Sequence, residues 1–187
     1  MQDTDSLKNQ FLIAMPGLDD PNFSRTVTYI CEHGAHGAMG IVVNRPSELR
    51  LNDVLEHMEI EPTVPGTGQQ MVYLGGPVET ERGFVLHERA REWDSTMAIT
   101  DTISITTSRD ILEAMARGEG PDHTLVALGY AGWGAGQLED EMQNNAWLSG
   151  PADPEVIFSL PVEERWEAAA RLLGVDMRLL STDAGHA

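Results

Sequence analysis

The chain is short of basic residues. Among 187 residues only Lys8 is a lysine, and Lys and Arg together number 12 against 30 Asp and Glu, a formal charge of −18. Binding a nucleic-acid backbone needs cationic side chains that neutralise phosphates and release counterions. The field of this chain instead repels polyanions and anionic membrane surfaces, so direct nucleic-acid and membrane partners are not expected. Cysteine is as scarce: Cys31 stands alone and forms no internal disulfide, which agrees with a reducing compartment. No apolar run is long enough to span a bilayer. The opening MQDTDSLKNQ lacks the basic flank and apolar stretch of a signal peptide, so a cytoplasmic location is expected.

Motifs of common chemistry are missing too. The run GYAGWGAG (129–136) matches neither G-x-G-x-x-G nor a P-loop, and Glu139, Asp140 and Glu141 follow where an anion would sit. There is no G-x-S-x-G, H-E-x-x-H or C-x-x-C. Cys31, His33 and His36 give C-x-H-x-x-H, one ligand short of a structural zinc set. Cys31 and His33 are expected on one strand face, with the thiol packed as a small apolar group. No catalytic residue, metal or cofactor is nominated.

What is present reads as one domain of 1–187, its ends (1–9 and 181–187) expected to be flexible. Strands are predicted over 11–15, 25–33, 38–44, 71–74, 83–87, 96–107 and 124–130 from apolar runs and alternation. Segments 25–33 and 38–44 form a hairpin, while Met97, Ile99, Ile103 and Ile105 share a face of one strand, 96–107. Helices are predicted over 51–60, 108–118, 137–145 and from Pro161 to Gly174, with Thr107 and Asp110 at capping-box spacing before the second. Strands joined mostly by antiparallel connections, with helices interspersed, favour α+β over a doubly wound parallel sheet.

Polar residues fall at strand ends and beside the glycine run: Asn44, Arg45, Arg82, His87, Gln137, Glu141 and Asn144. They form the candidate ligand-binding set, although Arg45 or Arg82 paired with Glu139 or Glu141 would be purely structural. In an extended chain Gly132, Gly134 and Gly136 present a bare face. That face is expected beside Gly75, Gly76, Pro77 and Val78 as the floor of a cleft, with Arg82 and Glu141 at its rim. Trp133 and Trp147 are expected in or near the core.

Several long motifs occur in one order: FLIAMP (11–16), DPNF (20–23), GAMGIVVNRP (37–46), GGPV (75–78), RGFVLH (82–87), LGYAGW (128–133), GQL (136–138), Glu141 and NAW (145–147). In these the chain resembles the AlgH/YqgE family of small bacterial proteins, along nearly its whole length. The resemblance implies an α+β fold with a branched, largely antiparallel sheet, part of it rolled into a small barrel, and helices around it. It implies no settled activity and no catalytic residues, the family being described as uncharacterised or as transcriptional regulators. Two classes of function follow. The leading one is a non-enzymatic regulatory or accessory protein that binds a protein or small ligand, any effect on transcription being indirect. The other is an enzyme or redox-responsive protein using Cys31, His87 or the carboxylates of 137–145.

Overall fold

The hairpin and its neighbours follow from the apolar runs. The computed structural model describes residues 6–18, 20, 21, 23–89, 91–177 and 179. Strand β1 (Gln10–Ala14) lies between β2 (Val27–Gly34) and β10 (Trp147–Pro151), and residues 11–14 are fully buried. Of the expected ends, 1–5 and 181–187 lie outside the described residues, while Asn9 donates its backbone N–H to the Ile30 carbonyl. β2 turns at 35–36 into β3 (Gly37–Val42), with Gly37 at φ +127°. The register shifts between Ile30 and Glu32. This bulge at Cys31 changes which face the following side chains take. Cys31 packs with Val27 and Tyr29, whereas His33 turns to Leu7 and Glu139. The expectation that Cys31 and His33 share a face is thereby corrected.

β9 (Thr124–Trp133) organises the rest. Along one edge it pairs antiparallel with β6 (Val78–Glu88). Along the other, Val126–Leu128 pairs in parallel with β5 (Met71–Leu74), and 131–133 pairs with β3. The sheet therefore branches at Gly129, and its curl closes half a barrel. To pass from β5 to β6 the chain must cross β9, and it does so through Gly75, Gly76 and Pro77. Two backbones touch there: a Cβ at Gly76 would collide with Tyr130 carbonyl atoms, and one at Gly129 with the Gly76 oxygen. The glycine run is thus mostly strand. The expected end at Tyr130 moves to Trp133, because Ala131 and Gly132 find partners in Gly40 and Met39; the turn is 134–136.

The expected strand 96–107 is two, β7 (Thr96–Ala98) and β8 (Ile103–Thr106), paired with Met97 opposite Ile105. The Thr100 hydroxyl oxygen accepts from the N–H groups of Thr102 and Ile103 and closes the turn. β4 (Pro46–Arg50) pairs with β5. Five α-helices occur among the described residues. α1 (Leu51–His57) and α2 (Arg109–Ala116) cover one sheet face over Val72, Val85 and Val126. The α2 cap is Ser108, not Thr107, and Gly118 at φ +74° ends that turn. α3 (Gln137–Gln143) packs by Leu138 beside Trp133 and Trp147. α4 (Pro154–Phe158) and α5 (Arg165–Arg171) close the barrel side over Phe11, Tyr29 and Ile41. The expected helix from Pro161 opens as a 3-10 turn, Val162–Glu164, before α5, and Gly174 stands at φ +76°. No helix among the described residues is long and apolar enough to cross a membrane.

Candidate functional site

The sequence-nominated residues occupy separate places. The Asn44 amide latches the barrel, its oxygen accepting from Val27 N–H at 2.8 Å and its nitrogen donating to the Arg25 carbonyl at 3.0 Å. The Arg45 guanidinium donates to the carbonyls of Pro21 and Ser24. Glu141 accepts from the indole N–H groups of Trp133 and Trp147, each at 3.0 Å, and from Gln137, whose own oxygen accepts from Gly134 N–H. Both tryptophans are buried, as expected. Gly75 and Gly76 hold the crossing described above. Arg82 and Gly132 line one open cavity of about 740 Å3, with Val78, Phe84 and Tyr130. The expected cleft floor is corrected in part: 75–76 meets Gly129–Ala131, Gly132 reaches Val78, and a Cβ at Gly134 would meet only Gln137.

The other nominated reactive groups are committed. Burial, reinforced by Glu32, pushes the Cys31 thiol far above its ordinary pKa, and its nearest partner is the Tyr29 carbonyl at 3.7 Å. His33 Nδ1 accepts from Leu7 N–H, so Nε2 carries the proton and donates to Glu139 at 2.9 Å. A backbone hydrogen bond, with His33 beside it, holds the Glu139 carboxyl below the usual carboxylate range.

His87 is fully buried and its tautomer is fixed by its neighbours. Nδ1 lies 2.8 Å from the Glu88 carbonyl and must donate, so Nε2 accepts from the Thr106 hydroxyl at 2.8 Å. Thr106 in turn accepts from Thr96 at 2.7 Å, and Thr96 from Trp93 N–H at 2.8 Å. In this arrangement Nε2 faces a hydroxyl that already donates to it, so a second imidazole proton would require the Thr106 and Thr96 hydroxyls to reverse. Desolvation lowers the His87 pKa below its ordinary value, against a smaller opposing pull from Glu88. The unfolded chain therefore takes up this proton first, and the stability His87 contributes is full above about pH 6.5 and is lost as pH falls through the folded-state value. The urea midpoint should drop between pH 7.5 and 5.5, and His87→Gln should flatten that drop. An unchanged slope in the variant would contradict the assignment.

A second cavity escaped the sequence reading. Between α1, the start of α2 and the sheet lies a groove of about 370 Å3. Its floor is Gly83 and Val85 of β6 with Val126 and Leu128 of β9; its walls are Val54 of α1, Met58 at the C-terminal cap of that helix, and Leu112 of α2. Asp53, His57, Glu81 and Arg109 stand at the rim. Arg109 is held by Glu113 at 3.0 Å and the Met58 carbonyl at 2.6 Å, and Asp53 accepts from Arg50 N–H. Beyond Leu128 the apolar row continues to Leu74, its register partner in β5 and 44% exposed. Gly83 is the residue that makes the room, since a Cβ there meets nothing within 4 Å. In the sequence it is one glycine at the head of a strand, and depth cannot be read from that.

This fold and these motifs have relatives. A family model described as AlgH-like matches residues 11–178. The chain belongs to the AlgH-like family. It is 60% identical to a UPF0301 protein of Thioalkalivibrio sulfidiphilus over 187 residues, all of both chains. With a UPF0301 protein of Methylococcus capsulatus it shares 57% over 180 residues, 96% of each. The solution structure of the AlgH protein from Pseudomonas aeruginosa superposes with a TM-score of 0.81 at 51% identity, covering 100% of this chain and 99% of that one. A crystal structure from Corynebacterium diphtheriae, 20% identical, gives 0.75 over 97% and 94% and shares the fold.

Proposed function

We propose that this chain is a cytoplasmic, non-enzymatic regulatory or accessory protein that acts by binding a partner in the α1–α2 groove, with any effect on transcription indirect. The observation that carries the reading is the groove itself. It is apolar at its floor, polar at its rim and within the size range of ligand-binding clefts. The enzyme reading asks for a reactive thiol, a titrating histidine or free paired carboxylates. Cys31 is buried with a raised pKa, His87 is bonded at both ring nitrogens, and Glu139 and Glu141 hold His33 and the two indoles. A charge of −18 argues against duplex DNA as the direct partner.

Gly83→Phe tests the reading, because the new ring enters the groove without meeting backbone. Stability should stay within about 1 kcal/mol of the parent. Nile red, a neutral apolar dye, should bind the parent saturably and lose its fluorescence gain in the variant. Equal dye binding by both proteins, or none by the parent, would contradict the proposal.

A further inference from the structure

We infer that a cavity between β5, the start of β9, α4 and the start of α5 binds a small monocarboxylic acid through Arg165. The site shares no lining residue with the α1–α2 groove and stands or falls apart from it.

Arg165, the first residue of α5, is 5% exposed. Its Nε donates to the Leu160 carbonyl at 2.9 Å and its Nη1 to the Val43 carbonyl at 2.6 Å, and the guanidinium carbon lies 5.2 Å over the Tyr73 ring. Nη2 has no hydrogen-bond partner among the described residues, and no carboxylate among them forms an ion pair with the group. Two carbonyls ask for two N–H groups, which a neutral amide could supply; they do not ask for a full positive charge. A buried charge without a counter-charge is costly. In a chain with 30 acidic residues its isolation points to an anion that arrives from outside.

Arg165 lines an open cavity of about 260 Å3, and Nη2 is the donor it has left to offer there. Tyr73 and Leu125 of this cavity belong to the barrel core, whereas their neighbours Val72 and Val126 belong to the core beneath α1 and α2. The cavity therefore lies on the sheet face opposite the groove. It holds a second donor: the Thr124 hydroxyl oxygen accepts from Gln70 Nε2 at 2.8 Å, and its own proton has no acceptor among the described residues. Ile157 and Phe158 add an apolar wall. Asp122 stands exposed at the mouth, where Glu88 holds His123 at 3.2 Å. One cation inside and carboxylates at the mouth admit a single negative charge and oppose two. That selects a carboxylate over a phosphate dianion, and the small volume with its apolar wall selects a short hydrocarbon body.

The probe is sodium butyrate, set against butyramide, inorganic phosphate and an acetylated tripeptide with a free C-terminal carboxylate, all at pH 7.5 and one ionic strength. In the nitrogen-15-labelled protein butyrate should give saturable shifts of the Arg165 Nε–H and of the Gln70, Thr124 and Phe158 amides, and should raise Tm. Butyramide, phosphate and the tripeptide should each bind about tenfold more weakly or worse. Arg165→Lys keeps a cation and loses the planar fork, and should weaken butyrate about tenfold. Asp122→Asn changes an exposed residue, should melt with the parent, and should narrow the gap between phosphate and butyrate about threefold. Equal binding of butyramide removes charge from the recognition and overturns the inference. So do equal binding of butyrate by Arg165→Lys, an unchanged gap in Asp122→Asn, or tighter binding of the tripeptide, which would give the site to a polypeptide terminus. Where Arg165→Lys does not fold, the parent decides alone: butyrate shifts that never saturate, or that centre on Val54 and Gly83, overturn the inference as well.

Discussion

Gly129→Ala is expected to cost about 4 kcal/mol or more of unfolding free energy, or to prevent folding outright. Two effects add at this position. Gly129 sits at φ +78°, where a Cβ crowds its own backbone, and that Cβ would also run into the Gly76 oxygen and lie 3.1 Å from the Val78 oxygen. Neither obstacle is a side chain that can swing away, because both are backbone oxygens, one in the segment crossing β9 and one at the first residue of β6. Gly76→Ala meets the same crossing from the other side and should behave alike. Gly134→Ala is the contrast. Its nearest neighbour would be the Gln137 amide oxygen at 3.9 Å, with no left-handed backbone, so a change within about 1 kcal/mol is expected. Urea unfolding of the three variants tests the ranking. A Gly134→Ala as damaging as Gly129→Ala would mean that the crossing is misplaced along β9.

Trp133→Ala should lower stability by about 3–5 kcal/mol, the range for removing a large buried aromatic. Trp133 is 6% exposed and stacks edge-on to Trp147 at 6.2 Å, with Phe23 at 6.1 Å. Its indole N–H also occupies one of the positions around the Glu141 carboxylate. Trp133→Phe retains a ring and loses the hydrogen bond, so it should cost less than the alanine variant. Glu141→Ala strands both indole donors and should cost about 1–3 kcal/mol for each group left unpaired. Melting of Trp133→Ala with the parent would place the indole outside the core and remove the anchor between β9 and α3.

Much of the fold was legible because burial imposes a period on the sequence. The β2–β3 hairpin, α1, α2 and α5 were visible as apolar faces, and α3 as an acidic, helix-prone segment after the glycine run. The misses share a cause: pattern reading follows side chains, and these features depend on backbone. The Thr100–Thr102 turn carries β-branched residues straight through a reversal, so β7 and β8 kept one continuous alternation. Gly132 leaves a blank in the pattern of β9, which hid the pairing with β3. β4, β10 and α4 are five residues each, too short for a period to emerge. Of the candidate site, Arg82 and Gly132 do share a cavity, while Asn44, Arg45, His87, Gln137 and Glu141 serve local hydrogen bonding in places set by tertiary packing. The groove was not legible at all. It is assembled from α1, α2, β6 and β9 over the open space at Gly83, and that assembly has no signature in one strand of sequence.

The claim on which the functional account depends is that the α1–α2 groove takes up an apolar partner. Chemical-shift mapping of Nile red on the nitrogen-15-labelled protein addresses it most directly. Saturable shifts centred on Val54, Gly83, Leu112 and Leu128, with little change at Gly134 and Gln137, are the expected result. Shifts centred on the barrel side around Met39 and Tyr130, or shifts that never saturate, would contradict it.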